Sequence, residues 1–396
     1  MKKRILFVDD EAMILQGLQR MLHSMRSEWE MEFVESAEAA LRLLEQKPFD
    51  VIVSDMRMPR MNGAELLAEV MKRYPATVRL ILSGYADKDL ILKCVGCAHQ
   101  YLAKPCDAGS LKATVQRASN LENSLRNERL KRLVCQMSRL PSIPSLYTEV
   151  VEKASDPDTT LEEVGGIIGR DIGMTAQVLK LANSAFFGLR RQLSSPTEAV
   201  TYLGLETIKS LILSIHAFSQ FEGAETGALN MQALWNHSME VARLAKSIAQ
   251  LEGLNLRGAD EAFAAGMLHD VGKLVLAVNL PREFAQAASL ARTGLELVRA
   301  EHQVLGANHA DVGGYLIGLW GLPVPVVEAV ALHHCPGGAP QSGINPLALI
   351  HVADVLCRER AGAEDGIPAP HLDAHYLELI GMSSRLPAWR KALPAV

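Results

Sequence analysis

Several things are scarce in this chain, and each absence excludes a class of protein. Aromatic residues are 5% of the 396 residues, and no block of lysine and arginine occurs anywhere. With a net charge of -5, there is no electrostatic footprint for nucleic acid, so DNA binding is not expected. No apolar run approaches the roughly 20 residues needed to cross a bilayer, so no membrane association is expected. Met1-Lys2-Lys3-Arg4 is a basic start, but only four apolar residues follow before two aspartates. That is not a secretory signal. The six cysteines are Cys94, Cys97, Cys106, Cys135, Cys335 and Cys357. Cys94-x-x-Cys97 has the spacing of a redox or zinc pair, but it lies in a predicted helix and has no second pair, which favours ordinary packing. Long-range repeats and low-complexity tracts are also absent.

What is present is a globular composition, 48% hydrophobic and 21% charged, long enough for two or three domains. The first third carries four short apolar runs that end on reactive side chains. Ile5-Leu6-Phe7-Val8 leads into Asp9-Asp10, Val51-Ile52-Val53-Ser54 into Asp55, Val78 to Leu82 into Ser83, and Tyr101-Leu102-Ala103 into Lys104-Pro105. Such runs, alternating with helix-like stretches, predict buried parallel strands. In parallel sheets chemistry gathers at the carboxyl ends of the strands. Three carboxylates, a hydroxyl and an ammonium should therefore converge on one edge. Mg2+ prefers a few carboxylates together with waters and phosphate oxygens. One carboxylate can then act as a nucleophile toward a phosphoryl group, with Lys104 and Ser83 stabilising the phosphoryl oxygens.

Residues 1 to about 120 resemble the receiver domain of two-component response regulators. The resemblance rests on Asp9-Asp10, Asp55 with Met58-Pro59 and Gly63, Ser83-Gly84, and Lys104-Pro105. It implies a five-stranded, doubly wound, flavodoxin-like α/β domain. It further implies Asp55 as phosphoacceptor, with Asp9, Asp10, Asp55 and the backbone carbonyl of Arg57 as Mg2+ ligands. Ser83 and Tyr101 would be the switch residues, Lys104 the phosphate partner, and a cis peptide would precede Pro105. A sensor histidine kinase would be the partner and the cytoplasm the compartment, where the cysteines stay as free thiols.

Helices are predicted near 11–25, 36–46, 62–72 and 86–96, and from 107 onward. The last should run on past the receiver. Leu111, Val115, Ala118, Leu121 and Leu125 recur at three- and four-residue intervals, with Glu122, Arg126, Glu128, Arg129, Lys131 and Arg132 around the later part. This suggests a helical connector over 121–139 that pairs with its copy in a homodimer. Leu140-Pro141 and Ile143-Pro144 then break the helix. From about 145 the pattern is helical, and the stripe Leu234, His237, Val241, Leu244, Ile248 is its clearest amphipathic face.

The second half holds His237, His269-Asp270 with Lys273, His309, His333-His334 and, one turn apart in another helix, His351 and Asp354. Imidazole and carboxylate ligands suit Fe, Mn, Zn or Ni, and a metal pair so held could hydrolyse a phosphoester. The order of these residues is that of the HD superfamily. Residues 136 to about 360 resemble the HDOD domain specifically, through Leu140-Pro141-Ser142-Ile143-Pro144, Val178 to Ser184, Trp235-Asn236-His237-Ser238, Gly266 to Lys273, His309 to Gly313, and His351 to Asp354. Asp171-Ile172 departs from a frequent Asp-Pro of that family. The resemblance implies an all-α, mostly non-catalytic regulatory module. Related HD-GYP domains hydrolyse cyclic di-GMP, and their metal ligands match His237, His269, Asp270, His309, His333, His334 and Asp354, with Lys273 as catalytic lysine. Their Gly-Tyr-Pro loop is replaced here by Cys335-Pro336-Gly337-Gly338-Ala339.

The reading is a receiver over 1–120, a connector over 121–139, an HDOD output domain over 140–360 and a tail with short helices over 361–396. Phosphorylation of Asp55 would switch a largely non-catalytic module that engages an unidentified protein or a nucleotide second messenger. The alternative is a phosphorylation-controlled metal phosphodiesterase acting on a cyclic dinucleotide.

Overall fold

The computed structural model describes residues 2–84, 96–120, 125, 127–137, 140–142, 144–156, 158–183, 191–205, 207–208, 229–339, 343–362 and 367–393. The helix expected over 86–96, Cys94, Leu121 and Ser184 fall wholly or largely outside these residues. The chain forms two compact units. One is Met1–Ser138 with Lys180–Arg191 and Leu319–Gly321; the other comprises the remaining segments up to Val396.

The first unit is built on β1 (Lys3–Val8), β2 (Trp29–Val34), β3 (Val51–Asp55), β4 (Val78–Ser83) and β5 (Gln100–Ala103). All neighbours are parallel and the order is β2-β1-β3-β4-β5. Every residue of β3 and β4 is buried, which is why these strands read as unbroken apolar runs rather than alternating ones. Strand order reverses between β1 and β3, so the crevice at their carboxyl ends falls beside Asp9 and Asp55. The helices α1 (Ala12–Met21), α2 (Ala37–Gln46) and α3 (Gly63–Arg73) follow the first three strands. Asn62 and Glu65 form a reciprocal capping box that starts α3. Gly63 lets that start press on β3, since a Cβ there would stand 2.0 Å from the Asp55 carbonyl oxygen.

The helix α4 is described over Ala108–Asn120, and within the connector one continuous helix is interrupted. Leu125 and Asn127 are non-helical, and the Asn127 side chain accepts from the amides of Arg129 and Leu130 to begin a new helix, α5 (Glu128–Gln136). This corrects the expectation of one continuous signalling helix. Leu111, Val115, Ala118 and Leu125 are all at most 2% exposed within the single chain, so these four side chains face the protein's own interior. Helix α5 packs on α3. Its carboxyl end is fastened by Arg79, a buried guanidinium that donates to the carbonyls of Cys135 at 2.5 Å, Cys97 at 2.6 Å and Thr77 at 3.1 Å. His99 accepts the Arg79 amide on Nδ1, so its Nε2–H faces the same Cys135 carbonyl at 3.1 Å.

Beyond residue 139 the described residues contain no strand. The helices are α6 (Pro144–Ser155), α7 (Leu161–Ile168), α8 (Ile172–Ala182), α9 (Pro196–Leu203), α10 (Met231–Leu251), α11 (Leu256–Leu268), α12 (Val271–Asn279), α13 (Pro281–Ala291), α14 (Leu297–Leu305), α15 (His309–Leu319), α16 (Val324–Leu332), α17 (Pro346–Ala361), α18 (Ala374–Leu379) and α19 (Leu386–Lys391). Thr160 caps α7 through a box with Glu163. The α10 stripe buries Leu234, Val241, Leu244 and Ile248 against a bundle that includes α11 and α17. The tail belongs to this bundle. Trp389 is fully buried and donates through Nε1 to Glu252 at 2.7 Å, which also accepts from Arg385. Among the described residues, no helix is long and apolar enough to cross a membrane.

Candidate phosphoacceptor site and candidate metal centre

At the carboxyl edge of the sheet, Asp9 and Asp55 are 1% and 7% exposed and share one cation. Lys104 Nζ donates to Asp9 Oδ2 at 2.7 Å and is also ion-paired to Asp55 Oδ1. The remaining carboxylate oxygens take backbone amides: Glu11 N–H on Asp9 and Arg57 N–H on Asp55, at 3.0 and 2.6 Å. Asp10 stands exposed beside them. Burial pushes the Asp55 carboxyl up from its ordinary value; Lys104 opposes this and Asp9 adds to it. Burial acts to lower Lys104, but its bonds to Asp55 and Asp9 prevail and leave it raised. Ser83 ends β4 fully buried, while Tyr101 in β5 is turned inward at 2% exposure. The Lys104–Pro105 peptide is cis. The donor set of hard carboxylate oxygens fits Mg2+; Asp9, Asp10 and Asp55 would hold the ion, which would neutralise charge on an incoming phosphoryl group.

The second unit draws seven sequence-distant ligands together. Asp270, His309, His333 and His334 offer atoms that all lie within 4.8 Å of one another, and His237, His269 and Asp354 form a second such group. The two groups are contiguous: Asp270 Oδ2 is 3.4 Å from His269 Nε2 and 3.9 Å from His237 Nε2. The helix ends position them. His269 follows the last residue of α11 and Asp270 precedes α12. His309 opens α15, and His333-His334 follow α16. Gly272 makes the approach possible, since a Cβ there would lie 1.9 Å from the His309 carbonyl oxygen.

Three histidines are aimed by their far nitrogens. Nδ1 of His269 donates to the Gly266 carbonyl at 2.8 Å, and Nδ1 of His333 to the Val330 carbonyl at 2.9 Å. Nδ1 of His309 meets Glu301 Oε2 at 2.6 Å. The Nε2 lone pairs of His269 and His333 are thereby presented to the centre, where both atoms are buried without a hydrogen bond. Buried polar atoms are rarely left so, and outer partners of this kind orient metal-binding imidazoles. The residues fit a transition metal: nitrogen and carboxylate donors, no thiolate, and lone pairs already turned inward.

The electrostatics agree. Burial holds His269 low and brings His333 down to about 3, and it lowers His334 well below the imidazole range. Burial also acts to lower His309, but Glu301 and Asp270 outweigh it and bring that ring up to about 9. Burial would raise Asp270 and Asp354, yet the surrounding histidines, and Lys273 for Asp270, keep both carboxylates well below their usual value. Lys273 Nζ donates to Asp270 Oδ2 at 2.6 Å. Beside the centre lies a cavity of about 690 Å³, reached by Lys273, His309, His334 and Asp354 and walled by Arg299 and Arg358 among others.

Glu301 escaped the sequence reading. It is eight residues from His309 in α14, fully buried, with no motif around it to mark it. His351, one turn from Asp354 in α17, stands outside both ligand groups. The structure uses both of its nitrogens elsewhere: Nδ1 donates to the His333 carbonyl at 2.7 Å, and Nε2 accepts the Asp373 amide at 2.9 Å.

Fold and site together define a flavodoxin-like signal-receiver domain joined to an all-helical domain of HD type. Comparison with known proteins gives the same division: residues 5–116 match the response regulator receiver domain family and residues 140–336 the HDOD domain family. The chain thus carries a response regulator receiver domain followed by an HDOD domain. An uncharacterized protein of Treponema pallidum (strain Nichols) is 25% identical over 220 residues, 55% of this chain and 42% of that protein. The hydrogenase transcriptional regulatory protein HoxA of Cupriavidus necator is 40% identical over 116 residues, 29% of this chain and 23% of that protein. The chain therefore spans less than half the length of these curated relatives. A solved virulence factor from Campylobacter jejuni subsp. jejuni shares the fold at TM-score 0.51 and 19% identity, covering 68% of this chain and 96% of that one.

Proposed function

We propose that this protein is a phosphorylation-controlled response regulator in which Asp55 accepts a phosphoryl group from a sensor histidine kinase. The Asp55 carboxylate attacks phosphorus, the bond to the kinase imidazole breaks, and Lys104 and Ser83 take up the new phosphoryl oxygens. One observation carries this reading: Lys104 joins Asp9 and Asp55 at the ends of two adjoining parallel strands. The added charge redistributes that pairing and biases a two-state switch through Ser83 and Tyr101. The HDOD domain then engages or releases a partner. Incubation with a small phosphodonor and Mg2+ should add one phosphoryl group to the intact mass, and Asp55→Asn should not gain it.

A second reading of the output domain is favoured by the inward lone pairs of His269 and His333 next to the 690 Å³ cavity. In that reading the seven ligands hold transition metal ions, Fe, Mn, Zn or Ni, and the domain hydrolyses a cyclic dinucleotide. A bound metal would supply Lewis acidity at the phosphate, while Lys273 and Arg358 bind its oxygens. The loop Cys335–Ala339 in place of Gly-Tyr-Pro supports the non-catalytic reading instead. Cyclic dinucleotide hydrolysis by the Mn2+-loaded protein, lost in His269→Ala/Asp270→Ala, would establish the second.

A further inference from the structure

The matched HDOD region ends at residue 336, yet part of the cavity wall comes from beyond it. Ile367, Pro368, Pro370 and His371 line the cavity together with Leu297 and Arg299. This segment is tied down immediately after His371, where the Asp373 amide donates to His351 Nε2 at 2.9 Å. The Asp373 carboxylate then caps α18 by accepting from Tyr376 N–H, and the Tyr376 ring stands edge-on to His351 at 6.4 Å. The other face of the His351 ring reaches the metal-ligand turn, donating from Nδ1 to the His333 carbonyl at 2.7 Å.

The two partners fix the state of His351. A carbonyl demands a donor at Nδ1 and an amide demands an acceptor at Nε2, so the ring is the neutral Nδ1–H tautomer. With both nitrogens engaged and only 2% of the residue exposed, it is no ligand. It is a rigid spacer between one ligand-bearing turn and one stretch of cavity wall. Two hydrogen bonds on one flat ring transmit displacement in either direction.

We propose that residues 367–373 form a strap over the cavity beside the His/Asp centre, and that His351 is the positioning residue coupling the strap to His333. Seating of the strap and occupancy of the centre are then linked, and by reciprocity each favours the other. The ligand class admitted under the strap is a phosphate ester, which the three cationic lining residues Lys273, Arg299 and Arg358 suit. The metal arm of this inference rests on the reading of the cluster as a metal centre. The distal clamp of the tail, Glu252 with Arg385 and Trp389, is separate and serves as an internal control.

The test is amide hydrogen exchange and Mn2+ binding on the full chain, with His351→Asn as the variant. Asparagine can keep the donor to His333 but is too short to accept from Asp373. The expected result is faster exchange at both 367–373 and 331–335, no change at 385–389, and roughly tenfold weaker Mn2+ binding, as for other outer partners of metal ligands. In the wild type, Mn2+ should slow exchange across the strap. Freed strap amides with unchanged exchange at 331–335 and unchanged Mn2+ affinity would overturn the coupling. If the wild type binds no Mn2+, the metal reading fails by itself, and the exchange pattern still decides the strap. Should His351→Asn fail to fold, wild-type strap exchange with and without Mn2+ decides it. Indifference to bound metal there would also overturn the proposal.

Discussion

His309 and His334 face each other through their Nε2 atoms across 3.0 Å. Glu301 and Asp270 keep His309 protonated to about pH 9 while burial keeps His334 neutral. The His309 Nε2–H therefore faces both His334 Nε2 and Asp270 Oδ1, the latter at 3.2 Å, and occupies the lone pair that a metal would need. Metal uptake must displace it, so titration with Mn2+ near pH 7.5 should release about one proton per centre. Calorimetry in buffers of different ionisation enthalpy measures this directly. His269→Ala/Asp270→Ala should take up no metal and release none.

The Glu301 carboxylate makes a pH prediction for the metal-free protein. His309 is raised above its ordinary 6.5 to about 9. A raised group stabilises the fold fully below pH 6.5 and loses that contribution as pH rises through 9. Glu301→Gln removes the charge that raises it. The stability difference between wild type and Glu301→Gln should thus be largest near pH 6 and shrink between about 6.5 and 9. Urea unfolding across that range reads it; a difference that grows with pH would reverse the assignment.

The leucine stripe predicts stability effects rather than assembly effects. Leu111 and Leu125 are at most 1% exposed inside one chain. Leu111→Ala or Leu125→Ala should cost about 2–5 kcal/mol. Neither should change the sedimentation coefficient by an oligomeric step. A clean shift in association state with unaltered unfolding would restore the seam.

Arg79 holds three backbone carbonyls in a buried place. Arg79→Ala removes the guanidinium donors from those carbonyls and empties a buried site, and should destabilise the first unit by about 2–4 kcal/mol. Arg79→Lys should not restore it, because one ammonium cannot span the carbonyls that the planar guanidinium reaches. Thermal unfolding of the two variants against wild type provides the comparison.

The residues that could be read from sequence were those whose local setting repeats their role. Asp9, Asp55, Ser83 and Lys104 each close an apolar run, and buried parallel strands produce such runs whatever surrounds them. The His/Asp ligands were legible as types in order, but their two groupings depend on how six helices meet. The interruption at Leu125 and Asn127 was not legible. Leu125 keeps the helical period, and Asn127 shows itself as the cap of a new helix only through its bonds to the Arg129 and Leu130 amides. Glu301 and the true role of His351 were hidden for a related reason. Each acts through a single tertiary hydrogen bond or two, and neither leaves a periodic trace.

The central claim is that the state of Asp55 controls the helical output domain. The direct measurement is amide hydrogen exchange over residues 229–339 with and without beryllofluoride and Mg2+, an aspartyl-phosphate mimic, in wild type and Asp55→Asn. The account predicts altered exchange within that span in the wild type, and none in Asp55→Asn. A wild-type response confined to residues 2–120, with the output domain unmoved, would contradict it.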